Sequence, residues 1–314
     1  MVQGFLIRGM TKLKERGFLR ITNLTVEELK EILDLASELK NGSLSPSCHK
    51  VLGLLFYKAS TRTRVSFTVA MYQLGGQVID LNPNLTQVGR GEPIEDTARV
   101  LDRYLDILAI RTFKQKDLET FKNFSRIPII NALSDLEHPC QILADFLTIK
   151  ECFGSLEGLT VTYLGDGNNV AHSLILGCAM MGINIRIATP PDYQPLREII
   201  QEAKMIAKPS TKITLTDDPI AAVKDSQVLY TDVWASMGQE SSASERIPIF
   251  KPFQVNGQLL NEANPEAIVL HCLPAHRGEE ITDAVIEGKQ SKVWDQAENR
   301  MHAQKALLVS LLGI

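Results

Sequence analysis

Residues 158–190 read GLTVTYLGDGNNVAHSLILGCAMMGINIRIATP. A β-branched run at 160–164 ends in the glycine turn of residues 165–167, a long apolar-rich helical segment follows, and a second strand-like run begins at Asn184. Strand, glycine turn, helix and strand in that order form a βαβ unit, in which the helix carries the chain back so that the two strands lie parallel. The alternation continues on both sides. Downstream come a charged helical segment at 195–208, the strand runs KITLTDD, VLYTDVW and AIVLHCLP, and a last helix at 295–313. Upstream, TVEELKEILDLASELK has Leu29, Ile32, Leu33 and Leu39 at helical spacing behind Thr25 as a cap. Strand runs VLGLLFY, QVIDL, DILAIRTF and IPIINAL come next, separated by helical stretches such as 94–105, and a long helix runs from Pro139 through 153.

The pattern predicts an α/β protein with two doubly wound parallel-sheet domains around a cleft, and 314 residues are enough for two such cores. The expected first domain is 1–150, with the C-terminal helix 293–314 returning to it; the second is 151–292. Two crossing helices link them. The stretch SMGQESSASERIPIFKPFQ, 236–254, shows no clear pattern. Unstructured stretches of this length often serve as lids, although a surface insertion would look the same.

Composition excludes several classes of function. The formal charge of −4 gives no basic face for nucleic acid, so any anion site has to be local. No apolar run approaches the ~18 residues of a membrane span. Five cysteines (Cys48, Cys140, Cys152, Cys178 and Cys272) form no C-x-x-C pair, which suits a reducing cytoplasm better than a disulfide framework. The N-terminus is basic but lacks the continuous apolar core of a secretory signal. No His/Cys/Asp cluster has metal-ligand spacing, and no metal or cofactor is expected.

Polar residues gather where strands end. STRTR, 60–64, follows VLGLLFY and opens a helix. Open α/β sheets bind ligands at the carboxyl ends of their strands. A helix start there adds free N–H groups and a positive dipole end. Ser60, Thr61 and Thr63 supply hydroxyls and Arg62 and Arg64 supply charge, which together suit a phosphate; an ordinary serine cap with solvated arginines is the plainer alternative. Arg111 ends DILAIRTF, and DLEHPCQ after IPIINAL places His138 and Gln141 on one side of a helix start. In the second half, GDGNN lacks the third glycine of a dinucleotide fingerprint, with Val170 in its place, which disfavours a nicotinamide cofactor. Asp232, Ser236 and Met237 follow VLYTDVW, and Cys272 and Leu273 close AIVLHCLP.

STRTR, HPCQ, GDGNN, DVWASMG, HCLPAHRGEE and AENRMHAQ, in this order along nearly the whole chain, resemble the ornithine carbamoyltransferases of the aspartate/ornithine transcarbamoylase family. SMG and HCLP are the signs that favour ornithine over aspartate or putrescine as acceptor. The resemblance implies transfer of a carbamoyl group from carbamoyl phosphate to L-ornithine in arginine biosynthesis, by a cytoplasmic homotrimer with sites at subunit interfaces and without a cofactor. It implies that Ser60, Thr61, Arg62 and Thr63 hold the phosphate and that Gln87, in TQVGRGEP, reaches it from the adjacent subunit. Arg111 and His138 would contact the carbamoyl oxygen and Gln141 the amide. Asn169, Asp232, Ser236 and Met237 would bind ornithine, and Cys272, Leu273 and Arg300 would line the reacting centre. Arg111, His138, Asp232 and Cys272 are the candidate catalytic groups. His138 is expected to donate to the developing oxyanion, either protonated or as the neutral tautomer, and Asp232 or Cys272 to handle the amine proton.

Overall fold

The computed structural model describes Leu13, residues 17–83, Gln87, residues 91–235 and residues 243–314. Each strand run forms a strand: β1 Val51–Phe56, β2 Gln77–Leu81, β3 Ile107–Arg111, β4 Ile129–Leu133, β5 Thr160–Leu164, β6 Asn184–Ala188, β7 Ile213–Thr216, β8 Val228–Thr231 and β9 Ile268–His271. The principal helices are α1 Val26–Asn41, α2 Thr61–Gln73, α3 Ile94–Leu101, α4 Gln115–Asn123, α5 Pro139–Phe153, α6 Asn169–Met181, α7 Arg197–Ile206, α8 Ala243–Phe250 and α9 Val293–Leu312. Local chemistry sets their ends. α1 begins with a reciprocal cap in which the Glu28 N–H donates to the Thr25 hydroxyl at 3.2 Å and the Thr25 N–H donates to the Glu28 carboxylate at 2.8 Å. It stops at Gly42, whose φ of 78° lies in the left-handed region that glycine enters without a steric penalty.

The chain divides into two units. One comprises the described residues up to Ala144 together with Arg300–Ile314, and the other is Asp145–Asn299. The division falls inside α5 and inside α9, so one helix leads the chain out of the first unit and another brings it back. The first unit holds a parallel sheet in the order β2-β1-β3-β4. β3, flanked on both sides, is buried throughout, whereas edge strand β2 is largely exposed. Leu55, Leu108, Ile110, Leu118, Phe121 and Ile129 pack beside this sheet. The second unit holds a parallel sheet in the order β7-β6-β5-β8-β9, with Leu164, Leu229, Val255, Val269, Ile281 and Val293 in one core cluster. In each sheet the chain first moves to one side of its starting strand and then to the other. The switch points lie between β1 and β3 and between β5 and β8, which is where doubly wound folds take their ligands.

One expectation is corrected. The stretch 236–254 is not without structure in its described part: Ala243–Phe250 is helical and Lys251–Phe253 forms a tight turn of helix. Pro248 and the exposed Ile247 and Ile249 hide any helical periodicity. Tertiary contacts hold the segment instead. Phe250 is buried against Tyr193 and Trp234, with centroids at 4.7 and 5.8 Å, and Arg246 donates to Asp166 at 3.1 Å and to the Trp234 carbonyl.

GDGNN is shaped by close backbone approach. The Gly167 N–H donates to the Tyr193 carbonyl at 2.8 Å, and a Cβ at Gly167 would lie 2.2 Å from the Pro195 nitrogen. Gly167→Ala is therefore expected to cost about 1–3 kcal/mol through backbone displacement, read as a lower Tm in thermal melts. An unchanged Tm would contradict the close approach.

Candidate active site

In the first unit the switch point is lined by the ends of β1 and β3, which are in register at Phe56 and Arg111. Ser60 caps α2 without spending its side chain on the cap, and the first turn of α2 carries no acidic residue. The helix start thus keeps a hydroxyl, its early N–H groups and an unopposed dipole end for an anion. Arg62 is half-buried, and its Nε is buried with no hydrogen-bond partner among the described residues. Arg111 ends β3 at a register irregularity against β4; such a bulge redirects the side chain that follows it. Thr63, Gln141 and Arg300 are all buried. Arg300 donates through Nη2 to the Thr63 hydroxyl and through Nη1 to Gln141 Oε1 at 2.9 Å, so one guanidinium ties the start of α2 to the start of α5.

The turn that carries His138 is built from buried polar contacts. The Ser134 N–H donates to the Glu137 carbonyl at 2.9 Å, and the Glu137 N–H donates back to the Ser134 hydroxyl at 3.2 Å. The Glu137 carboxylate, fully buried, accepts from Arg20 Nε at 2.6 Å and from the Ile21 N–H at 2.9 Å. Burial, and then the charges of Arg300, Arg111 and Arg62, push the His138 imidazolium well below its ordinary range. The shift favours the neutral imidazole of the two protonation states left open by sequence. Burial also raises the neighbouring Cys140 thiol to about 12, against the lowering influence of Arg300.

In the second unit, Asn168 is the N-cap of α6: its Oδ1 accepts from the N–H groups of Val170 and Ala171, and its Nδ2 donates to Asp232 Oδ2 at 2.8 Å. Asp232 Oδ1 accepts from the Cys272 thiol at 3.0 Å. Amide, carboxylate and thiol thus form a chain across the ends of β5, β8 and β9. The sequence reading singled out Asn169, which opens α6 half-buried, and passed over Asn168. The signal was present, since an Asn before an apolar helical run is a standard cap. Leu273 has a φ of 59°, a left-handed value that non-glycine residues rarely adopt, and it precedes a cis proline. Gln87 is exposed, and Ser236 and Met237 lie outside the described residues.

Folding brings together residue types that ligate metals although they have no such spacing in the sequence. The ligand atoms of Asp232, His271 and Cys272 lie within 4.8 Å of one another. Both His271 nitrogens are already committed, however. The Leu273 N–H donates to Nδ1 at 2.9 Å, so Nε2 carries the proton and faces Glu280 Oε1 at 2.9 Å. That leaves His271 no lone pair for a metal.

Three guanidinium charges around a neutral imidazole at one switch point, and a thiol held by a carboxylate at the other, are the equipment of a protein that binds an anionic acyl donor in one unit and a second reactant in the other. That is the arrangement of a carbamoyltransferase. The chain belongs to the aspartate/ornithine carbamoyltransferase family: residues 16–151 match the model of its carbamoyl-P binding domain and residues 157–311 that of its Asp/Orn binding domain. It is 72% identical over 306 residues to the ornithine carbamoyltransferase of Synechocystis sp., covering 98% of this chain and 99% of the relative. Among solved structures it resembles the ornithine carbamoyltransferase from Pyrococcus furiosus, with a TM-score of 0.92, 49% identity and coverage of 96% and 98%. It also resembles the anabolic ornithine carbamoyltransferase from Campylobacter jejuni, with a TM-score of 0.90, 39% identity and coverage of 94% and 98%.

The neutral His138 has a measurable signature. Its imidazole nitrogens are expected to show the uncharged pattern by NMR at pH values clearly below 6.5, and inorganic phosphate should move its titration upward by offsetting the arginine charges. The linkage sign is fixed: the unfolded chain takes up a proton at His138 near pH 6.5 and the folded chain does not, so this group lowers stability as pH falls below 6.5. An imidazolium signal at pH 6 would refute the assignment.

Proposed function

We propose that this protein transfers the carbamoyl group of carbamoyl phosphate to the δ-amine of L-ornithine, giving L-citrulline and phosphate. The observation that carries this reading is the convergence of Arg62, Arg111 and Arg300 on the neutral His138. Ser60, Thr61, Arg62, Thr63 and the start of α2 hold the phosphate, with Gln87 contributed by a neighbouring copy. Arg111 and His138 donate to the carbamoyl oxygen, and Gln141 faces the amide. Asn169, Asp232, Ser236 and Met237 bind ornithine, Asn168 orients Asp232, and Cys272, Leu273 and Arg300 serve the reacting centre.

The δ-amine is lysine-like, with a solution pKa near ~10, so forming the nucleophile at neutral pH costs roughly 4 kcal/mol. The amine nitrogen bonds to the carbamoyl carbon, and negative charge collects on the carbonyl oxygen. The bond from carbon to the phosphate oxygen then breaks, and the amine proton leaves through Asp232 or Cys272. Each donor to the oxyanion contributes about 3 kcal/mol. The arginines neutralise the departing phosphate, and the residues present need no cofactor for this chemistry.

A homotrimer is proposed from the family and is supported by the first unit's surface, where edge strand β2 and the side chains of Val65, Ile79, Val100 and Tyr104 are exposed. A biosynthetic role is proposed from the likeness to the anabolic Campylobacter jejuni enzyme. A cytoplasmic location is supported by five free cysteines. No described helix is long and apolar enough to cross a membrane. A nicotinamide reading is disfavoured beyond the missing glycine. Residues 193–196 crowd the start of α6, where the Gly167 N–H meets Tyr193 and the Leu196 N–H donates to His172 Nε2 at 3.1 Å.

The enzyme is expected to form citrulline from ornithine but not to carbamoylate putrescine; absence of citrulline would overturn the reading. Arg62→Ala should weaken carbamoyl phosphate binding by ~100-fold, the scale of a lost charge-assisted contact, and unchanged affinity by calorimetry would remove Arg62 from the phosphate site. Activity is expected to rise from pH 7 toward 9 as the ornithine amine loses its proton. Cys272→Ser should alter the ornithine KM and this profile, whereas an unaltered profile would reduce Cys272 to packing.

A further inference from the structure

β9 is the edge strand of the second sheet. Alternate residues of a strand point their N–H groups the same way, so the open side of β9 presents the N–H groups of Val269 and His271. The first donates to the Gln290 carbonyl at 2.8 Å, and the Lys292 N–H returns a bond to the Val269 carbonyl at 2.9 Å. The passing chain then turns into α9 and offers no further backbone acceptor. The His271 N–H is met instead by a side chain: it donates to Gln296 Oε1 at 2.9 Å. Gln296 therefore extends the ladder by one bond, up to the residue before Cys272.

The orientation of this amide is fixed. Gln296 Nε2 donates to Asp145 Oδ1 at 2.7 Å and lies 3.2 Å from the Tyr230 hydroxyl. Gln296, Asp145 and Tyr230 are all essentially inaccessible to solvent. A flipped amide would set an oxygen against the Asp145 carboxylate, so Asp145 holds Oε1 toward His271. Burial, reinforced by the negative charge of Asp145, raises the Tyr230 phenol well above its ordinary range and keeps it protonated. Tyr230 lies on β8 two residues before Asp232, which accepts from Cys272. One buried amide thus touches both strands that deliver the thiol–carboxylate pair.

We propose that Gln296 is a positioning residue for the reaction, whose amide, oriented by Asp145, sets the end of β9 and hence the placement of Cys272 against Asp232. The proposal rests on the carbamoyltransferase reading, because the contacts it protects are those assigned to ornithine. A buried donor left without its acceptor shifts to find another, and displacement of a reacting group by about an ångström is worth up to ~100-fold in rate.

The test compares Gln296→Met, which keeps side-chain volume and removes both polar contacts, with the paired variant Gln296→Glu/Asp145→Asn, which keeps an acceptor for the His271 N–H and exchanges donor and acceptor in the contact with residue 145. With wild-type enzyme forming citrulline, Gln296→Met is expected to raise the ornithine KM by about tenfold or more and leave the carbamoyl phosphate KM within about twofold, because only the second unit's turn is disturbed. Binding of L-norvaline, the ornithine skeleton without its δ-amine, should weaken in parallel by calorimetry, and the rate of Cys272 alkylation should change. The paired variant should recover most of the loss. Wild-type activity with ornithine constants, norvaline affinity and Cys272 reactivity unchanged in Gln296→Met would overturn the proposal. An equal loss of both substrates, or no recovery by the paired variant, would also overturn it, since either marks a general packing role. If Gln296→Met does not fold, Asp145→Asn, which releases the amide to flip, carries the same expectation in a milder form. Failure of the wild type to make citrulline would instead strike the functional reading itself.

Discussion

A buried guanidinium that ties two helix starts together is the contact on which the first unit is organised. Arg300 is buried and donates to the Thr63 hydroxyl and the Gln141 amide oxygen. Its charge, with those of Arg111 and Arg62, is felt at His138. Cations held out of water in this way favour an anion over a neutral or positive ligand. The sheet supplies the geometry, because parallel strands send every carboxyl end to one edge, and the switch point opens that edge between β1 and β3.

The second unit solves a different problem with the same topology. Its order comes from directed hydrogen bonds. Asn168 caps α6 and at the same time holds one oxygen of Asp232, while Cys272 occupies the other. His271 spends both ring nitrogens on Leu273 and Glu280, which holds the strained Leu273 in place. One unit therefore reads charge, and the other reads the placement of a single nitrogen.

Much of this was legible in the sequence, for identifiable reasons. Every strand run is a β-branched or apolar stretch closed by a polar or glycine boundary, and Thr25 and Asn168 sit where helix caps belong. The site residues announced themselves as charged or reactive groups directly after such runs. What could not be read depends on contacts distant in the chain. Ala243–Phe250 is helical because Arg246, Tyr193, Trp234 and Phe250 pack together, not because of its own periodicity. The grouping of Asp232, His271 and Cys272 joins the ends of two strands between which residues 232–267 intervene. The neutral state of His138 follows from burial and three arginines, none adjacent to it in sequence.

The identity of the cations in the first unit has a chemical consequence of its own. Carbamoyl phosphate is an activated mixed anhydride, and an amine held beside it would be acylated. The three charges acting on His138 are all guanidinium groups, which stay protonated at any working pH and are poor nucleophiles. The thiol two residues after His138, Cys140, is buried and pushed to about 12, so it offers almost no thiolate. Neither those cations nor that thiol competes for the acyl group.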